Sequence, residues 1–131
     1  MSNTLHLPLK AKWYEMIESG VKTEEYREIK PYWCDRLLYG YPLGSEYWSS
    51  CLSNAFKVAN ERETISTSEC LHHLLVWYYG LRNYTHVKFS YGYTRRAMTF
   101  EIESITIGKG DPEWGAPDKE VFIIKLERRV A

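Results

Sequence analysis

Residues 20 to 28 read GVKTEEYRE, which places Lys22, Glu24, Glu25, Arg27 and Glu28 inside one short segment. Period-two alternation predicts a strand here, with Thr23, Glu25, Arg27 and Ile29 on one face and Glu24, Tyr26 and Glu28 on the other. Glu25 and Arg27 then project the same way, and a carboxylate so placed holds a guanidinium in one orientation. An oriented Arg grips a phosphate or the edge of a base. Lys22, at the turn before the strand, adds a point charge from a second direction. Such a mixed-sign floor suits a ligand with both donor and acceptor edges, a nucleotide or nucleobase. A Lys–Glu pair also does acid–base work once burial shifts its pKa values. The competing reading is a solvated ion pair worth less than about 1 kcal/mol.

A second candidate runs from residue 82 to 96, RNYTHVKFSYGYTRR, with Arg82, Lys88, Arg95 and Arg96 and no acid. Basic groups that track phosphates, interleaved with rings that stack on bases, are how single strands are held. The alternative makes Phe89, Tyr91 and Tyr93 one core-facing side of a strand, with the basic residues on its rim. In the loop GDPEWGAP, Trp114 either lids or stacks on a ligand, or is buried and plugs the end of a barrel. His72 and His73 adjoin Cys70 but lack the i, i+3 or i+4 spacing of helix-borne ligands, so no metal and no cofactor is expected.

These residues need elements to position them. LHLPL at 5 to 9 reads as a first strand, Pro8 marking an edge or the strand's end. Trp13, Met16 and Ile17 recur at helical spacing, and Gly20 stands where a helix-ending glycine belongs. Pro31 suits the first turn of a second helix, with Trp33, Leu37 and Leu38 on its buried side and Cys34 as a small buried hydrophobe. Residues 41 to 84 form a separate zone and read as a helical insertion. It holds a candidate helix in CLSNAFKVAN, a capping pattern at Ser66 and Glu69, and an apolar face of Leu71, Leu74, Leu75 and Tyr78. Beyond it the chain is strand-rich. Val87, Phe89, Tyr91 and Tyr93 share one phase. Met98, Phe100 and Ile102 then give way to Ile105 and Ile107 in the other phase, which predicts a β-bulge near Glu103 and Ser104. EVFIIKLERR, apolar on both faces at 121 to 124, reads as a central or barrel-forming last strand.

A chain of 131 residues suits one domain. Seventeen basic residues balance seventeen acidic ones, which disfavours a coat on extended duplex DNA and favours a small, pocketed ligand. The three cysteines, Cys34, Cys51 and Cys70, form no CxxC pattern, and the reading is a reduced, cytoplasmic protein. The longest apolar run, LLVWYY at 74 to 79, is far below the roughly 18 residues of a membrane span, so no membrane partner is expected.

Gly20, Lys22, Glu25 and Arg27 spell GxKxxExR after a short strand and an amphipathic helix. This arrangement resembles the signature of the ASCH family, whose domains have a PUA-like β-barrel. The segment LPLKAKWYEMIESGVKTEEYREIKPYW is similar to the first half of that domain, and VKFSYGYTRRAMTFEIESITIGKGDPEWGAPDKEVFIIKL to its last strands. The resemblance implies an α+β fold, a small PUA-like barrel with flanking helices, as a single domain over 1–131 with a helical insertion at 41–84. It implies a cleft lined by Lys22, Glu25 and Arg27; Arg95 and Arg96, at a turn beside that cleft, and Trp114 are the further ligand contacts that the residues themselves suggest. The implied function is a module binding RNA, a nucleotide or a nucleoside. The implied alternative is a small hydrolase, since some ASCH proteins are acetylcytidine amidohydrolases that use a Lys, a Thr and a Glu; a ribonuclease-like hydrolase is the other form. Lys22 matches that Lys, Glu25 stands where the Thr does, and the third residue has no assigned counterpart. Lys22 and Glu25 would be the catalytic pair. A third reading makes residues 41–84 a surface for a protein partner.

Overall fold

The computed structural model describes residues 3–39 and 79–131. The chain forms a mixed α+β structure whose elements run β1 (Thr4–Leu9), α1 (Ala11–Glu18), β2 (Glu24–Glu28), α2 (Pro31–Leu37), β3 (His86–Tyr91), β4 (Ala97–Lys109) and β5 (Glu120–Arg129). The strands join in one sheet, curled as a half-barrel, in the order β1-β3-β4-β5-β2. Contacts divide the chain into two compact units, residues 1–26 with 83–131, and residues 27–82. The expected helix in CLSNAFKVAN, the cap at Ser66 and Glu69, the apolar face from Leu71 to Tyr78, His72, His73, Cys51 and Cys70 lie outside the described residues.

In the first unit the sheet is built by simple alternation. Leu5, Leu7 and Leu9 of β1 are buried while His6 and Pro8 face out. β1 runs parallel to β3 with Leu7 opposite Phe89, so two apolar side chains meet across the ladder. Pro8 sits on a terminal strand of the sheet order, where its missing N–H breaks no central ladder. β4 is antiparallel to β3 and β5, and its register with β5 shifts between Phe100 and Ser104. That is the bulge the change of phase predicts. β5 lies between β4 and β2 and buries Val121, Phe122, Ile124 and Leu126, as a strand apolar on both faces must.

α1 buries Tyr14 and Ile17, with Trp13 and Met16 partly covered. The buried stripe is therefore rotated from the Trp13–Met16–Ile17 reading, because the Tyr14 ring packs edge-on against Tyr91 with centroids 5.2 Å apart. The helix ends at Ser19, and Gly20 takes the left-handed conformation at φ 85°. β3 stops at Tyr91. Tyr93 belongs to the following turn and is 99% exposed, which corrects its placement on the buried face with Val87 and Phe89.

In the second unit Pro31 opens α2 as expected. Cys34, Leu37 and Leu38 are its buried residues, and Trp33 is only partly so. Burial without a compensating charge pushes the Cys34 thiol up to about 12. Arg82 donates from Nε to the Leu38 carbonyl at 3.0 Å and from Nη2 to the Asp35 carbonyl at 3.2 Å. A cation on carbonyls at the end of a helix satisfies acceptors that the helix leaves open. Arg82 is thus a cap for α2, whereas composition grouped it with the basic stretch ending at Arg96.

Candidate functional site

Lys22 is placed by the end of α1. Its backbone N–H donates to the Met16 carbonyl at 3.0 Å, and Gly20 donates to Ile17 at 3.1 Å, so the chain folds back across the last turn. The side chain then runs inward and is 1% exposed, while Glu25, near the start of β2, is 5% exposed. Nζ lies 3.3 Å from both Oε1 and Oε2 of Glu25. The Tyr26 backbone N–H donates to Glu25 Oε1 at 2.8 Å and holds that carboxylate in place.

Aromatic rings wall the ammonium. Nζ stands 4.4 Å from the Trp13 ring centroid and 5.8 Å from that of Tyr26. A ring face attracts a cation most strongly where water is excluded. The pair is therefore a desolvated ion pair in an aromatic setting, which differs from the solvated strand-surface pair that composition allows. β2 departs from strict alternation: Glu25 and Tyr26 are neighbours and both buried.

The loop after β4 closes over this region. Tyr26 donates its hydroxyl proton to Glu24 Oε1 at 2.8 Å, and the Asp111 backbone N–H donates to the same hydroxyl at 3.0 Å. Asp111 in turn accepts at Oδ1 from the Glu113 N–H at 2.9 Å, starting a short 3₁₀ turn over Pro112–Trp114. Desolvation, aided by the negative charge of Glu24, raises the Tyr26 pKa well above its ordinary value, although the Asp111 N–H works the other way. Tyr26, Ala116 and Val121 form one buried cluster on which Trp114 packs half-covered. Two glycines permit that closeness. A Cβ on Gly110 would lie 2.5 Å from the Tyr26 ring, and one on Gly115, at φ 93°, would lie 2.8 Å from Trp13.

Arg27 lies in the second unit, with its guanidinium 5.1 Å from the Trp33 ring centroid. Arg96 donates from Nη2 to Glu18 Oε1 at 2.8 Å and lies over the Tyr14 and Tyr91 rings at 5.1 and 4.8 Å. The Glu18 carboxylate holds this guanidinium more firmly protonated than usual. Arg95 is exposed in the turn between β3 and β4. Among the described residues no group of three or more His, Cys, Asp and Glu side chains gathers as a metal site would require. Periodicity placed Trp13 only in a helix stripe and passed over Gly115; their roles become visible only when the loop meets the helix. Comparison with protein-family models, with curated proteins and with solved structures found no match.

Proposed function

We propose that the protein is a nucleoside- or nucleotide-binding module on a PUA-like barrel of the ASCH type, and that Lys22 and Glu25 form the polar end of its binding site. One observation supports this above the rest: a lysine and a glutamate, both nearly sealed from water, are held 3.3 Å apart beside two aromatic rings. Stability alone is a weak reason to keep such a pair, since apolar residues of equal volume fill a core as well or better. Ligand recognition is a better reason. An ammonium and a carboxylate side by side offer a donor and an acceptor, the complement of an amide-like base edge. Trp13, only partly covered, is a ring of the kind on which a base stacks. Arg27 enters this set through its place two positions from Glu25 on β2 and through the resemblance.

The same pair supports a second reading. In that reading Glu25 would take a proton from a water admitted with the substrate, while Lys22 would stabilise the developing oxyanion. Acting on an N-acetylated cytidine, water would add to the acetyl carbonyl and the C–N bond would break, releasing acetate and the free amine. Titration calorimetry with cytidine, cytidine monophosphate and N4-acetylcytidine tests the binding reading. We expect heat of binding for at least one of them and a loss of about tenfold or more in Lys22→Met. Equal affinity in the variant, or no binding by the wild type, would overturn it. Release of acetate that disappears in Glu25→Gln would establish the hydrolase.

A further inference from the structure

Lys22 and Glu25 are 1% and 5% exposed, so a ligand that meets them must first be let in. The rings that wall the ammonium, Trp13 and Tyr26, are themselves met by the loop between β4 and β5. Three parts of the chain could therefore give way: α1, the turn that carries Lys22, and this loop. The first two are stitched into the framework. α1 is held by its buried Tyr14 and Ile17. The Lys22 N–H donates to the Met16 carbonyl at 3.0 Å, and the Leu126 N–H of β5 donates to the Thr23 carbonyl at 3.0 Å.

The loop is bonded mainly to itself. The Trp114 N–H donates to the Asp111 carbonyl at 3.0 Å, the Gly115 N–H to the Pro112 carbonyl at 3.1 Å, and the Ala116 N–H to the Asp111 carbonyl at 3.2 Å. The strand ladder beneath it ends where Lys109 pairs with Glu120. The bond that leaves the loop runs from the Asp111 N–H to the Tyr26 hydroxyl, at 3.0 Å. The loop also meets the two rings with backbone: Gly115 lies on Trp13 and Gly110 on Tyr26, each too close for a Cβ. A glycine on a ring face buries little apolar area. Ala116 is the buried residue of 110–119, and its side chain is a single methyl. Trp114, the large side chain of the loop, is only half-covered. A segment with few buried apolar contacts, and with its hydrogen bonds closed within itself, opens locally while the rest stays folded. Swinging it away keeps its internal bonds, breaks the one to Tyr26 and uncovers the Trp13 ring.

We propose that residues 110–116 form a latched lid over the Lys22–Glu25 pair, moving as one body from the end of the β4–β5 ladder, with the Asp111 N–H on the Tyr26 hydroxyl as the latch. The proposal rests on the reading of that pair as a binding site, to which the lid is the entrance. The first arm of the test needs no ligand. The folded protein is acylated with the N-hydroxysuccinimide ester of acetic acid, and mass spectrometry scores Lys22 against the exposed Lys88, at urea concentrations below the unfolding transition. Lys22 reacts slowly in the wild type, with little dependence on urea, as local opening requires. Tyr26→Phe removes the latch and speeds Lys22 about tenfold. Gly110→Ala, whose methyl would meet Tyr26 and Ala116, speeds it as well. Phe89→Leu weakens the sheet away from the loop and leaves the Lys22 rate near that of the wild type. Equal rates in the wild type, Tyr26→Phe and Gly110→Ala overturn the lid, and so does a wild-type rate that climbs with urea as steeply as global unfolding. In the second arm, stopped-flow Trp fluorescence follows cytidine monophosphate, which associates about tenfold faster with Tyr26→Phe because more of that variant stands open. The two readings fail separately. Nucleotide binding with acylation indifferent to both loop variants overturns the lid and keeps the site, whereas latch-dependent acylation without nucleotide binding keeps the lid and overturns the nucleotide.

Discussion

A lysine ammonium gives up strong hydration when it leaves water, and Lys22 recovers part of that loss from both oxygens of Glu25 and from the Trp13 face. Removing one partner strands the other as a buried charge. Lys22→Met or Glu25→Leu is therefore expected to cost about 3–5 kcal/mol, while the double variant Lys22→Met, Glu25→Leu regains most of it. Urea denaturation of the three variants measures the cycle, and simple additivity would argue against a desolvated pair. Tyr26 acts at the same scale. Its hydroxyl joins Glu24 to the Asp111 N–H, so Tyr26→Phe leaves that N–H without its partner and costs about 1–2 kcal/mol. Cys34 sets a pH window. Its folded pKa is raised from 9.0 to about 12, so its stability contribution is complete below pH 9. As pH rises from 9 towards 12, the unfolded chain releases the thiol proton and the folded chain retains it, and stability falls. Melting temperatures across that window should fall less steeply in Cys34→Ala than in the parent protein.

At the scale of elements, α1 and the loop from Gly110 to Ala116 meet on two rings. Gly115 has both a left-handed φ of 93° and a Trp13 ring 2.8 Å from where a Cβ would be. Gly20 has a comparable φ of 85° and nothing within 4 Å. The pair separates backbone strain from crowding. Gly20→Ala carries the strain alone, about 1 kcal/mol, and Gly115→Ala adds displacement of Trp13, for about 2–3 kcal/mol in all. The near-ultraviolet circular dichroism of Trp should change only in the second. An unchanged Trp signal in Gly115→Ala would mean that the loop yields and the ring does not. The helix stop at Gly20 was legible because a glycine just past an apolar stripe is a local signal. So were the Pro31 start and the bulge near Ser104. Tyr93 was misplaced because alternation continues through YGY with nothing but Gly92 to announce the turn.

For the whole molecule, charge balance is the property that needs no fold. Seventeen cations against seventeen anions and a pI of 6.9 predict lowest solubility near that pH, with recovery on either side. Turbidity of concentrated samples across the neutral range checks it, and a flat profile would mean that exposed apolar surface governs association instead. The two compact units meet in sequence at Tyr26 and Arg27, between the residues that the GxKxxExR pattern joins. Spacing in sequence places Glu25 and Arg27 on one strand, β2, yet it does not say what each side chain packs on. Arg82 carries the same lesson: adjacent to the basic stretch in sequence, it caps a helix more than forty positions back in the chain.

The sequence by itself determined the α+β class, the helix end, the second helix start, the apolar strands and the residues worth watching. Each of these depends on neighbours within a few positions, where backbone sterics and periodicity act. Tertiary structure alone decided that Lys22 and Glu25 leave water, that Arg96 braces a turn and that Tyr93 stands clear of it. Burial is set by what packs on top, and the covering loop at 110–116 comes from the far end of the chain, brought to Tyr26 and Trp13 only by the closing of the sheet.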